Sequence, residues 1–366
     1  MSRPGSSSAE TRVGLVLAGG GIAGYGFHTG ALAALASCTG WDPRRAEIIV
    51  GTSAGSIVAS LLRAGMAPDE LRDRVLEPGP DTETDLLLKA LVSFGSFEVP
   101  GPRWGTEDLG MVTSELARMV RRRRGPRLAH LGAGLLPIGR VSTEPLRGLL
   151  DPLHGDSWPA EPLWIPATDH RSGRRVVFGP TYTDLSGDHP ADGPEPVAPS
   201  SRPEGNGGPP RQRHDGDAAE VQPSVATAVR ASCAIPGYFA PVQHDGRRFV
   251  DGGLGSADNS DLLAERGLDV VVICSPLSLA ELRPQSPIMS VLRAYPRRRL
   301  GVNVRALEAD GVEVIVLEPD RHLSAAMGWT AMATRRLRSV VDASERHITE
   351  ELAANPSAGA MEALSA

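Results

Sequence analysis

The chain has 366 residues, 41% of them hydrophobic and 22% charged, which is enough for a sizeable core and excludes a wholly disordered chain. Its net charge is −6, from 38 basic against 44 acidic residues, so composition lends no support to a nucleic-acid partner. Lys89 is the only lysine, which excludes a phosphate loop of the G-x-x-x-x-G-K-[ST] type.

Residues 1–12 are mostly polar and Ser-rich, without the apolar segment of a signal peptide, and are expected to be disordered. From Val13 to Trp41 there is no Asp, Glu, Lys or Arg, a length that could span a bilayer. Gly14, Gly19, Gly20, Gly21, Gly24, Gly26 and Gly30 interrupt that stretch. It reads instead as a buried strand over 13–18, a glycine turn over 19–24 and a buried helix over 25–37. A second strand over 47–50 runs into Gly51-Thr52-Ser53-Ala54-Gly55 and a helix through Leu62. Strand, turn and helix, twice over, predict an α/β fold with a parallel sheet.

Residues 66–150 read as mainly helical, with Leu109, Val112, Leu116 and Met119 at helical spacing. Strand patterns return at 163–167 and 175–178. The segment 183–222 is rich in Pro and Gly, with only Leu185, Val197 and Val221 as large apolar residues. It cannot bury enough surface to offset its ordering entropy, so it is expected to be a flexible insertion within the domain. Strands are predicted at 268–274 and 312–317, and one helix over 324–352. The expected organisation is one domain over 13–275, a helical extension with one further strand over 276–355 that is part of it, and a frayed tail over 356–366. Cys38, Cys233 and Cys274 lack metal-ligand spacing and read as buried small apolar residues, with no metal site and no disulfide framework.

Three glycine-containing motifs carry the candidate chemistry. Gly51 to Gly55 is a G-x-S-x-G pentapeptide between a strand and a helix, the context in which a strained turn lifts a serine out of a sheet. A plain strand-to-helix turn is the bland alternative. Gly19-Gly20-Gly21-Ile22-Ala23-Gly24 fits the G-x-G-x-x-G pattern, so a dinucleotide site is a rival reading. That site wants an acidic residue near the end of the second strand, where Gly51-Thr52-Ser53 stands instead. The backbone N–H groups of such a loop can also form an oxyanion hole. Asp251-Gly252-Gly253 is a turn whose carboxylate could act as a general base, a weak one at an ordinary pKa of ~3.9.

Taken together these motifs resemble those of the patatin-like phospholipase family. The matches are Gly19 to Gly24 for its glycine-rich loop, Gly51 to Gly55 for its serine elbow and Asp251 to Gly253 for its D-G-[GA] triplet. The run from Ala231 to Val242 and the Ala167-Thr168-Asp169 strand with Gly173 are similar to further family segments. The resemblance implies a three-layer α/β/α fold with a central, mostly parallel sheet. It also implies a serine hydrolase cleaving acyl esters of lipids, without cofactor or metal. Ser53 would be the nucleophile and Asp251 its base. Gly19, Gly20, Gly21, Ile22 and Gly24 would form the oxyanion loop, Gly51, Thr52, Ala54 and Gly55 the elbow, and Gly252 and Gly253 the turn at the base. The expected partner is a lipid or acyl-ester substrate, with peripheral membrane contact and a cytoplasmic location.

Two positions depart from the family pattern. Ala23 stands where the loop usually has Arg or Lys, which leaves open a weak or inactive lipid-binding relative. Asn259 comes later after Asp251 than the family's asparagine, and no Pro follows it. A Ser-His-Asp triad is disfavoured, because only His322 and His347 follow Asp251. His28 reads as a packed core residue or as a support beside the site, and Asp169 as a turn or structural residue rather than a catalyst. The basic clusters Arg121 to Arg124 with Arg127, and Arg297 to Arg299, read as solvated helix ends or as contacts to anionic lipid. Phe97 and Trp104 read either as part of a lid over an acyl pocket or as ordinary core or loop packing.

Overall fold

The computed structural model describes residues 11–77, 139–180, 222–278, 287–328, 332–354 and 363–364. The insertion 183–221, the helix around Leu109, the Arg121 cluster and the Phe97–Trp104 segment lie outside the described residues.

Short, predominantly apolar runs become the strands at the centre. They are β1 (Val13–Leu17), β2 (Ile48–Gly51), β3 (Leu163–Asp169) and β7 (Val270–Cys274), and every residue in them is buried. Such runs serve a sheet covered on both faces. The remaining strands are β4 (Arg175–Phe178), β5 (Val242–His244), β6 (Arg247–Asp251) and β8 (Glu313–Leu317). The sheet order is β5-β6-β3-β2-β1-β7-β8, with β4 paired to β3. Strands from β3 through β2, β1 and β7 to β8 pair in parallel, while β4, β5 and β6 pair antiparallel. The mostly parallel sheet agrees with the expected fold class.

Side chains alternate faces along each strand. Leu15, Leu17, Ile49, Val270 and Val272 enter one core. Helices α1 (Gly21–Thr39), α2 (Ala54–Arg63), α5 (Val225–Ser232) and α8 (Leu337–Ala354) contribute to it. Helices α3 (Pro68–Leu76) and α4 (Pro145–His154) add Leu71, Val75, Leu146 and Leu150. Val16, Ile48, Val50, Val271 and Ile273 enter the second core, with Leu300 and Leu307 of α6 (Pro287–Ala309). The sheet is therefore a filled middle layer.

Helix α1 is buried nearly all round and lies against α8. A Cβ on Gly30 would meet the Val341 carbonyl oxygen at 2.3 Å, so a side chain there would prevent the approach. This explains a glycine inside a helix, where it costs stability.

Several elements differ from the sequence expectation. α1 begins at Gly21 rather than near Tyr25, because the last glycines of the loop already form its first turn. The predicted helix over 324–352 is two helices, α7 (Arg321–Met327) and α8, since Gly328 leaves α7 with φ 79°. The β5–β6 hairpin escaped the sequence reading. Its signal was Asp245-Gly246, whose φ values of 46° and 70° suit a tight hairpin turn. Arg12, placed in the expected disordered tail, is tied down: its N–H donates to Asp269 at 2.8 Å and its guanidinium pairs with Glu47. Cys233 and Cys274 are buried as expected, but Cys38 is exposed. Among the described residues no helix is long and apolar enough to cross a membrane.

Candidate active site

The site lies where β1 and β2 end and two helices begin. β2 closes at Gly51, and Ser53 turns the chain with φ 51° and ψ −122° before α2 starts at Ala54. A positive φ on serine is a strained state, of order 1–3 kcal/mol, kept only where the surroundings hold it. Here they do. The Thr52 N–H donates to Leu17 O at 2.9 Å, and the Ser53 N–H donates to Ser232 Oγ at 2.9 Å. The Ser53 carbonyl accepts from Ser56 N–H at 2.8 Å and Ser56 Oγ at 2.6 Å. A Cβ on Gly55 would lie 2.0 Å from Leu17 O, so glycine is what lets α2 start against β1. The elbow residues Gly51, Thr52, Ala54 and Gly55 thus act through backbone geometry.

Asp251 ends β6 and leads into Gly252 and Gly253. Its backbone is fixed by N–H donation to Ala234 O at 2.9 Å and by the Thr168 hydroxyl, which donates to its carbonyl at 3.0 Å. Its Oδ1 accepts the Gly253 N–H at 2.7 Å. The Ser53 side chain interacts with the same carboxylate. Ser53 and Asp251 are 5% and 8% exposed. Burial pushes the Asp251 carboxyl up to about 6, against the opposing pull of Gly253 N–H and Ser53. A carboxylate near 6 is a better base than an ordinary one and is still largely ionised at neutral pH.

The glycine loop covers the other side. A Cβ on Gly19 would stand 3.5 Å from Ser53 Cβ, so the loop abuts the serine. Its donors sort themselves. Gly19 N–H donates to Ala257 O and Gly24 N–H to Gly20 O, both at 2.9 Å. Both N–H groups, expected as oxyanion donors, are engaged by backbone carbonyls in this structure. Gly21, Ile22 and Ala23 begin α1, and first-turn N–H groups have no intrahelical acceptor. Gly20 is the N-cap and offers no side chain to cap them. The positive end of the helix dipole points the same way.

Three supporting residues were not read as such from sequence, and a fourth, His28, was read as core packing with a supporting role near the site as the alternative. Ser232 holds the Ser53 N–H, as above. Thr168 fixes the Asp251 carbonyl. His28 is fully buried, and its Nε2–H donates to Ala18 O at 2.7 Å, bracing the strand that feeds the loop. Desolvation drives its pKa down to about 4, so it stays neutral. Asn259 bridges the two turns: its Nδ2 donates to Thr52 Oγ1 at 3.0 Å, to Ser256 O at 2.8 Å and more weakly to Gly252 O at 3.4 Å. Its Oδ1 accepts from Arg175 at 2.9 Å, and Arg175 pairs with Asp261. The chain places this asparagine at the site despite its late spacing. Asp169 is a turn residue, accepting from Ser172 and pairing with Arg247.

An apolar cleft opens beside Ser53, with about 380 Å³ of non-atom space when the part open to solvent is included. Among the described residues that line it there is no histidine. His347 binds the Glu318 carbonyl instead, and His322 is exposed. Among the described residues no group of His, Cys, Asp or Glu could hold a metal ion.

Residues 15–263 match the family model of patatin-like phospholipases, 249 of the 366 positions. The chain belongs to the patatin-like phospholipase family. Lipids are the substrates on which this family acts, as acyl hydrolases. No curated protein matches the sequence. Among solved structures, the chain is similar to VipD from Legionella pneumophila, at 14% identity and a TM-score of 0.39, covering 94% of this chain and 67% of that one. It is also similar to the type III effector protein ExoU, at 17% identity and a TM-score of 0.32, covering 95% of this chain and 54% of that one.

Proposed function

We propose that this patatin-like chain hydrolyses acyl esters of lipids through Ser53 and Asp251. The observation that carries the reading is the meeting of a strained serine and a buried carboxylate beside the open end of α1 and an apolar cleft. Asp251 takes the Ser53 proton as Oγ attacks the ester carbonyl carbon. The oxyanion faces the N–H groups of Gly20, Gly21 and Ile22. As the intermediate collapses, the leaving alcohol takes the proton from Asp251. Water then gives a proton to Asp251 while its oxygen attacks the acyl group. Collapse releases the acid, and Asp251 returns the proton to Ser53. Peripheral contact with a membrane surface, from a cytoplasmic location, is part of the proposal.

A fluorophosphonate probe should label the wild type at Ser53, read by peptide mass spectrometry. Ser53→Ala should lose both labelling and turnover of a short-chain p-nitrophenyl ester, on the order of 10⁴-fold or more in kcat. Labelling elsewhere in that variant would move the nucleophile.

Ala23 favours a second reading, lipid binding without turnover. Position 23 is 5% exposed in the first turn of α1, and the hole described here needs only its backbone. Activity that appeared only in Ala23→Arg would establish the inactive reading. The dinucleotide reading predicts that NAD raises the melting temperature. No carboxylate stands at the end of β2 to hold a ribose.

A further inference from the structure

The cleft beside Ser53 draws its walls from two parts of the chain. Among the described residues that line it, all but one fall within 15–263, the stretch that matches the family. The exception is Met332, from the connection between α7 and α8. It is partly buried and packs against the core that α1 and α2 share. That connection is fixed at both ends. At the α7 end, the Arg336 guanidinium donates to the carbonyls of Ala325 and Ala326, at 3.3 and 3.1 Å. These belong to the last turn of α7, whose carbonyls have no partner within the helix. At the α8 end, Leu337 is buried against α1, and a Cβ on Gly26 would stand 3.0 Å from its Cδ1. Gly26 follows Tyr25 and lies one turn beyond Ile22, and both of those residues also line the cleft. The stretch of α1 that walls the cleft therefore also seats the start of α8, which brings Met332 to the same place.

We propose that Met332 sets the size of the acyl chain that this cleft accepts, so that acyl selectivity is carried in part by the C-terminal extension. This deepens the acyl-hydrolase reading and rests on it. A methionine side chain is unbranched and adaptable, and it fills the irregular space left between other apolar groups. Met332→Ala removes its Cγ, Sδ and Cε and opens that space to a larger chain. Met332→Phe fills it with a rigid ring. One methylene more or less in an apolar pocket is worth about tenfold or more in selectivity. Met332 belongs neither to the glycine loop, nor to the elbow, nor to the Asp251 turn. Its bulk can change while the reacting groups keep their identity.

The test uses the full chain and measures kcat/KM on p-nitrophenyl butyrate, octanoate and dodecanoate. Met332→Ala should raise the ratio of dodecanoate to butyrate about tenfold over the wild type, and Met332→Phe should lower it. Met332→Leu, close in volume, should restore the wild-type ratio. A purely structural role would move all the esters together and leave the ratio alone. A ratio unaltered in both the alanine and the phenylalanine variants, or a uniform loss on every ester, overturns the proposal. If no ester is turned over and the fluorophosphonate probe labels nothing, the hydrolase reading fails separately. Calorimetry with free butyrate, octanoate and dodecanoate, on wild type and Met332→Ala, then decides the cleft on its own. A preference shifted towards dodecanoate in Met332→Ala supports it. The same preference in both proteins, or no binding to either, rejects it.

Discussion

β2 delivers Ser53 from the parallel half of the sheet, whereas β6 delivers Asp251 from the antiparallel half. The two halves are built differently. In the parallel half, strand, elbow and helix follow one another without interruption from Ile48 to Arg63. The serine's position is set mainly by neighbours in sequence and by the β1 carbonyl of Leu17, with one remote contact, from its N–H to Ser232 Oγ. In the antiparallel half, Asp251 is placed by pairing with Ala167 of β3 and by contacts to Ala234 and Thr168, all remote in sequence. β3 is the seam: Leu163 and Trp164 pair with β2, and residues from Ala167 to Asp169 pair with β6. Asn259 crosses the gap by binding Thr52 on one side and Gly252 on the other. A site assembled in this way depends on the seam as much as on the Ser53 and Asp251 side chains themselves.

The strongest challenge to this picture removes the antiparallel contribution. Asp251→Asn should lower kcat on short-chain esters by about 10²–10⁴-fold, the usual worth of a general base. Full activity would detach the base from the antiparallel half. The same variant should melt a few degrees higher at neutral pH, followed by thermal denaturation. The carboxyl's pKa is about 6 in the folded chain, above its ~3.9 when unfolded. Its stabilising contribution is therefore complete below pH ~4 and is lost as pH rises through about 6. At neutral pH the native state carries an ionised buried carboxylate, and the amide relieves that cost.

Next in size is the pH dependence. A base must be deprotonated to act, so kcat/KM should rise with pH through about 6, the Asp251 value, falling roughly tenfold per unit below it. A limb near the ordinary carboxylate value would mean that Asp251 is solvated in solution. It would also weaken the contrast between a buried base and a locally built nucleophile.

Cutting the bridge should cost less. Asn259→Asp keeps the acceptor that faces Arg175 but loses the donor to Thr52 and Gly252. It should reduce kcat by about tenfold with KM little changed, in steady-state kinetics. Unchanged kcat would show that the halves hold register without it. Ser232→Ala should have the smallest effect, a several-fold loss of kcat, since it leaves the Ser53 N–H without its acceptor while the elbow keeps its other bonds. A loss as large as that of Asp251→Asn would mean the elbow is not self-supporting.

The sequence alone was enough to read the parallel half. Uncharged apolar runs interrupted by glycine read as buried strands, tight turns and a buried helix, and the G-x-S-x-G between strand and helix followed directly. The same reading picked out Asp251 by its motif but not the hairpin that holds it, because β5 has three residues and β6 begins with two arginines. Which loop amides are free to donate depended on Ala257 and Gly20, whose carbonyls claim Gly19 and Gly24. The work of Ser232, Thr168 and Asn259 was likewise invisible, since hydrogen bonds between distant residues leave no periodic trace in a chain. Local pattern is legible because it follows from backbone geometry and solvation of neighbouring side chains. How β6 carries Asp251 towards the Ser53 turn came only from the tertiary structure, because it requires a sheet whose two halves meet along β3.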